Sequence, residues 1–389
     1  MVFDTALKIK DDLVKMRRDL HQIPEIGFDV YKTCEYIEKI LDVLKIEHYR
    51  TAKTGIVGLI KGKSDEKTLL IRADIDALPV TELNNVEYKS KNKGKMHACG
   101  HDAHTTCLLG ACMILKKLAV NLNGNIKLVF QPAEESVGGA EPMINEGIMH
   151  SPDVTAAVAL HVEPLAKVGT LQLRNGAIMA SPDEFTIIIN GVGGHGACPE
   201  DCNNPIIPAA KLISKLGTVV EDTFGEKSEC VVSVCAVNAG NTANVIPATV
   251  EIQGTARSLS EDVRTKIENV IGSYIDEVCS EYNCTFSYDF RRLYPPLIND
   301  KCMNETVINA SKKISGFNDI IYLEKSPMTG DDFAYFAKLV PSSYFKLGVG
   351  NDLIKNPLHS PNFDIDENSL SLGAAILAQI AIDYLGEDK

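Results

Sequence analysis

Three of the chain's nine histidines, His97, His101 and His104, fall in the short segment 96–104 (MHACGHDAH) together with Cys99 and Asp102. A thiol, imidazoles and a carboxylate at this density form a mixed donor set of the kind that holds Mn, Zn, Co or Ni. The segment opens an apolar stretch in which Leu108, Leu109, Cys112, Leu115 and Leu118 mark a helix buried on a wide face. The positive end of that helix is expected to favour the thiolate of Cys99, the form that binds or bridges metal ions. The plain alternative is a buried cysteine beside polar groups that cap the helix.

A second concentration of chemistry follows the apolar run NIKLVFQ: Gln131, Pro132, Ala133, Glu134 and Glu135. In open α/β sheets ligands bind beyond the carboxyl ends of the strands, and Asp74 and His161 end their own apolar runs in the same way. Side chains of an extended segment alternate in direction, so Glu134 and Glu135 suit divided labour, one on a metal and the other on a water. A solvated acidic turn is the bland reading of the pair. His359 sits in the turn PLHSP, where a histidine standing by itself is more often structural. His195 lies in GGHGA, whose glycines either let the backbone approach a ligand or another chain or simply form a turn.

The frame for these residues is written in apolar runs. Amphipathic helices over 5–22 and 31–45 precede the runs TGIVGLI, TLLIRADI, NIKLVFQ and VTAAVALHV. Near-continuous apolar strands alternating with helices predict an α/β domain with a mostly parallel, covered sheet. From residue 181 the order becomes strand, helix 205–220, two strands, helix 261–282 and strand, which predicts an inserted ferredoxin-like α+β unit. The α/β character returns with helices over 303–314, 331–338 and 367–385. The expected division is therefore 1–180 with 293–389 for the metal-binding catalytic domain and 181–292 for the insertion.

At 389 residues the chain exceeds what one core ordinarily supports. A net charge of −13 and a pI near 5.2 argue against nucleic acid and anionic membrane as partners. The first twenty residues mix acids and bases and do not read as a signal peptide, and no run reaches the roughly 20 apolar residues of a membrane span. Eleven cysteines, an odd number in a large chain, predict reduced thiols and a cytoplasmic location. His21 is expected to cap or pack at a helix end, His48 and His150 to lie on the surface, and Cys198 and Cys202 to be an incidental pair.

The ordered segments RRDLHQIPEIGF, RADIDALP, MHACGHDAHT, QPAEES, ALHV, GVGGHGACP, NVIPATVEIQGTARS, YPPLIND, GDDFAYF and PLHSP run almost end to end. Through them the chain resembles the metallopeptidase and aminoacylase superfamily that includes carboxypeptidase G. Within it, the resemblance is to the branch of hippurate hydrolases, N-acetyl-diaminopimelate deacetylases and auxin-conjugate hydrolases. The resemblance implies a catalytic domain holding one or two divalent metal ions and a smaller lid domain. It assigns Cys99, His101, Glu135, His161 and His359 as metal ligands, with the Cys99 sulfur bridging where the peptidase branch has an aspartate. It gives Asp74 the orientation of a ligating histidine, Glu134 the proton transfers and His195 the oxyanion. In dimeric members that histidine comes from the neighbouring subunit, so a homodimer or higher oligomer is expected. Arg257 and Asn244 are implied for the free carboxylate of a small N-acyl amino acid substrate. Two departures stand out: Glu200 follows Pro199 where many relatives have histidine, and Asp331 replaces a usual glutamate.

The nearest rival reading is a dipeptidase or carboxypeptidase of the same superfamily. A rival of another class is a non-catalytic metal-binding or thiol-based regulatory protein, which the presence of Glu134 beside a full ligand set disfavours.

Overall fold

A computed structural model of the chain describes residues 2–118, 121–225 and 228–386. It divides into two compact units, Met1–Gly176 with Ile298–Glu324 and Asp332–Lys389, and Ala177–Leu297 with Lys325–Asp331. The segment Lys325–Asp331 packs with the insertion, although its sequence position suggests the larger part.

In the larger unit eight strands lie in the spatial order Glu47–Thr51, Gly55–Ile60, Asn125–Gln131, Thr68–Asp74, Ala156–Lys167, Ser342–Gly350, Thr170–Leu173 and Asp319–Tyr322. The four central ones, from Asn125–Gln131 to Ser342–Gly350, run parallel. Antiparallel pairings flank them on both sides. Thr68–Asp74 and Asn125–Gln131 are buried at every position, as strands covered on both faces must be. The helices His101–Leu118 and Ser369–Leu385 pack on each other and are buried almost all round, which explains their weak amphipathicity. The first predicted helix is broken at Ile9 into Val2–Lys8 and Lys10–His21.

Lys10–His21 docks through buried charge. Arg17 donates to Asp102 at 2.9 Å and to Asp364 at 2.8 Å, and His21 Nδ1 stands 2.7 Å from Asp102 with its Nε2 3.3 Å from Glu82. His21 thus belongs to a buried ionic cluster behind the start of His101–Leu118. His150 is exposed, as expected, but the His48 side chain is only 16% exposed, with its Nδ1 2.9 Å from the Ile46 carbonyl.

The inserted unit has a four-stranded antiparallel sheet in the order Cys230–Asn238, Thr249–Ser258, Ser181–Asn190 and Thr285–Arg291. In chain order this is second, third, first and fourth, with the helices Ile206–Phe224 and Glu261–Glu281 as the two crossovers: the ferredoxin-like arrangement. Phe185, Ile187 and Ile189 alternate into a core shared with Leu212, Leu216, Ile267 and Ile271. Ser260 caps the second helix by accepting from Val263 N at 3.2 Å. None of the eleven cysteines is in a disulfide, and no described helix is long and apolar enough to cross a membrane.

Candidate metal centre

The centre is assembled at the carboxyl ends of Thr68–Asp74 and Asn125–Gln131, at the start of His101–Leu118 and at His161, which lies within Ala156–Lys167 and does not end its strand as the sequence suggested. Gly100 makes the approach possible. Its φ is +83°, and a Cβ there would lie 2.4 Å from Val162 Cγ2, so only glycine lets this turn rest against the strand that carries His161. Cys99 Sγ consequently stands 3.5 Å from His161 Nε2. His161 Nδ1 donates to the Val162 carbonyl at 2.7 Å, which leaves the Nε2 lone pair on the side of the thiol. His104 is spent differently: its Nδ1 donates to Asp74 at 2.6 Å and its Nε2 accepts from Val162 N at 2.9 Å. Both nitrogens are occupied, so His104 is a strut and not a ligand.

The adjacent glutamates depart from the sequence reading. Residues 134–137 form a turn entered through Ala133 at φ +61°, and Asp76 accepts the backbone N–H groups of Glu134 at 3.1 Å and Glu135 at 3.3 Å. The segment is not extended, and both carboxylates reach the same imidazole, 4.0 and 3.8 Å from His101 Nε2. His359, at φ +64°, is anchored by its N–H to the Ala98 carbonyl at 2.8 Å and brings Nε2 to 3.3 Å from Glu135. Among the possible donor groups of the described residues are two that share the Cys99 thiol, Cys99 with His101 and His161, and Cys99 with Glu135 and His359. His101 also groups with Glu134 and Glu135 and with Asp74 and His104, the donor atoms of each group lying within 4.8 Å of one another.

Electrostatics test whether a cation suits this pocket. His101 is buried, and its two ring nitrogens make no hydrogen bond among the described residues, although Asp76 and Asp74 oxygens stand 3.5 and 3.7 Å away. Burial opposes its protonation, yet Asp74, Asp76 and Glu135 push the imidazole up to about 10. Burial, with Glu135 and Glu134 adding to it, holds the Cys99 thiol well above its ordinary value. This corrects the expectation of a thiolate favoured by the helix end: burial first, and the nearby carboxylates after it, oppose ionisation of the thiol, and a bound cation would favour it. Burial, reinforced by His104, keeps His161 far below the usual imidazole range and therefore neutral. Orphaned buried nitrogens, a neutral imidazole, a shared thiol and surplus carboxylates fit a divalent cation.

Asp74 has two short partners, His104 and Arg72, each at 2.6 Å, and its link to His101 is a longer contact of 3.7 Å. Sequence reasoning passed over Asp76, whose clamp on the glutamate turn depends on backbone groups that no motif displays. The remaining candidates lie in the inserted unit. His195 is exposed and pairs with Val245 across a two-stranded ribbon, where Gly196 N donates to the Asn244 carbonyl at 2.8 Å. The Asn244 side chain bonds Thr242. Arg257 is half-buried and donates to the carbonyls of Asp183 at 3.1 Å and Ala256 at 3.0 Å, so its guanidinium is partly occupied within its own unit.

A family model described as Peptidase family M20/M25/M40 matches residues 70–383. The chain belongs to this family. It is 36% identical over 385 residues to thermostable carboxypeptidase 2 of Saccharolobus solfataricus, covering 97% of this chain and 96% of that one. To N-acetyl-L-cysteine deacetylase of Bacillus subtilis it is 36% identical over 383 residues, covering 98% and 90%. A solved Bacillus subtilis structure described as a dinuclear metal-binding peptidase of the M20 family superposes with a TM-score of 0.86 at 31% identity, over 97% of this chain and 99% of that one. Membership makes the chain a metal-dependent hydrolase of amide bonds and sets aside the non-catalytic alternative.

Proposed function

We propose that the chain hydrolyses the amide bond of small N-acyl amino acids, releasing a carboxylate and a free amino acid. One observation carries the reading. Asp76 holds two adjacent glutamates toward His101; both can join His101 in a donor group, but of the two it is Glu135 that is also grouped with Cys99 and His359. Glu134 is left as the carboxylate for proton transfer. The name of the deacetylase relative, an enzyme for an N-acetyl amino acid, supports the same substrate class.

Cys99, His101, Glu135, His161 and His359 would hold one or two divalent ions drawn from Mn, Zn, Co and Ni. Such an ion supplies Lewis acidity and lowers the pKa of water. Glu134 takes a proton from the attacking water and returns it to the leaving amine. Asp76 fixes both glutamates through their backbone, and Asp74 braces His104 against the strand of His161. His195, whose Nδ1 accepts from Ala197 N at 3.0 Å and whose Nε2 is therefore the outward donor, is assigned to the oxyanion. Arg257 and Asn244 are assigned to the substrate carboxylate. A homodimer in which a neighbouring copy supplies His195 completes the proposal.

The second reading, a carboxypeptidase, draws on the name of the Saccharolobus relative. A panel of N-acetyl and N-benzoyl amino acids against unblocked dipeptides, run with each of the four metals, separates the two. Faster turnover of the blocked amino acids is the expected result, and preference for free dipeptides would contradict it.

A further inference from the structure

Behind the donor groups, Arg72, Gln131 and Asp332 close a ring of hydrogen bonds that the reaction does not use. Arg72 Nε donates to Gln131 Oε1 at 2.9 Å, its Nη2 donates to Asp332 at 2.9 Å, and Gln131 Nε2 donates to Asp332 at 2.7 Å. The third arm of the guanidinium, Nη1, donates to Asp74 at 2.6 Å. All four side chains are essentially buried. Asp332 also accepts the backbone N–H groups of Gly139 at 2.8 Å and Ala140 at 2.9 Å.

These contacts converge on one short loop. Residues 132–139 carry Glu134 and Glu135; Gln131 precedes the loop, and Gly139 and Ala140 lie at its far end. The ends are drawn together so closely that a Cβ on Gly139 would lie 1.9 Å from the Pro132 carbonyl oxygen. A single buried carboxylate ties both ends. Ordering backbone costs about 1 to 2 kcal/mol per residue, so a loop already closed before ligand binding presents its carboxylates without that cost.

We propose that Asp332 is a positioning residue for the cation site, holding Glu134 and Glu135 through both ends of their loop and Asp74 through Arg72. The inference rests on the metal-dependent reading given above. Asp332→Asn keeps the shape but turns one acceptor into an N–H donor facing either the side-chain or the backbone donors. In calorimetric titration of the metal-stripped full chain with Mn²⁺ and with Zn²⁺, this variant should bind roughly 10- to 100-fold more weakly than wild type, the usual range for groups that orient ligands.

Lys127→Met controls for a merely structural effect. Lys127 lies on the same strand as Gln131 and bonds the carbonyls of Ile148 and His150 at 2.7 Å and of Pro152 at 2.9 Å, away from the donor groups. Its loss should lower the thermal midpoint while cation affinity stays within about threefold of wild type. Asp332→Asn binding as tightly as wild type, or losing no more affinity than Lys127→Met at a similar midpoint, overturns the proposal. Should Asp332→Asn not fold, Gln131→Met, which cuts the ring but spares the Gly139 and Ala140 bonds, must weaken binding about fivefold or more. Undiminished binding in that variant refutes it. A wild-type chain that binds neither of these ions, nor Co²⁺ or Ni²⁺ titrated in the same way, removes the metal reading and this inference together, whereas tight wild-type binding retained in both variants removes the inference alone.

Discussion

Glu134 and Glu135 share one backbone clamp and face one imidazole, yet the account gives them different work. Glu134→Gln keeps size and hydrogen bonding but cannot accept a proton, so it should retain metal while losing roughly 100- to 10,000-fold in kcat. Glu135→Gln removes charge from the group it shares with Cys99 and His359 and should lose metal first. Metal analysis beside kcat separates them, and a metal-free or fully active Glu134→Gln would reverse the assignment. Cys99→Ser should also weaken retention, because a hydroxyl does not ionise near neutral pH beside Glu134 and Glu135. Unchanged metal content would remove the sulfur from the centre. The ligand types at this scale are legible in MHACGHD, QPAEE and PLHSP. Asp76 and the occupied ring of His104 are not, since their roles follow from backbone N–H groups brought near by folding.

At the scale of elements, the central strands were legible because burial on both faces writes an unbroken apolar run. The short strands Thr170–Leu173 and Asp319–Tyr322 were not, being four residues each and taking their pairing from neighbours distant in sequence. The turn at Gly100 is a tight joint between elements. Gly100→Ala faces both a positive φ and a 2.4 Å clash with Val162, and should cost on the order of 2 to 4 kcal/mol in denaturant unfolding. A loss below about 0.5 kcal/mol would show that the turn relaxes freely. His21 locks Lys10–His21 to the helix beyond it. Burial and Arg17 oppose its protonation, but Asp102 and Glu82 raise its pKa above the ordinary 6.5. Its stabilisation is therefore complete below pH 6.5 and fades as pH rises through the raised folded value. The gap in unfolding midpoint between wild type and His21→Gln should shrink from pH 6 to pH 9, and a constant gap would contradict a charged His21.

The whole molecule separates its proposed chemistry into two units, with the donor groups in one and His195, Asn244 and Arg257 in the other. If Arg257 holds the substrate carboxylate, Arg257→Ala should raise KM sharply for N-acyl amino acids and hardly alter turnover of their amide-capped counterparts. Equal losses on both would assign it to the stability of its own unit, where it already bonds two carbonyls. If a neighbouring copy delivers His195, mixing inactive Glu134→Gln and His195→Ala chains should restore about a quarter of wild-type activity, one intact site in each mixed dimer. No recovery after subunit exchange would place His195 and Glu134 of the same chain at one site. The central claim, that this buried donor set is the cation site of an amide hydrolase, is tested most directly by stripping the chain of metal and titrating a divalent ion back while following N-acyl amino acid hydrolysis and bound ion together. The account predicts no turnover in the stripped protein and activity rising in proportion to the ion bound. Full activity without metal, or ion binding that leaves hydrolysis unchanged, would contradict it.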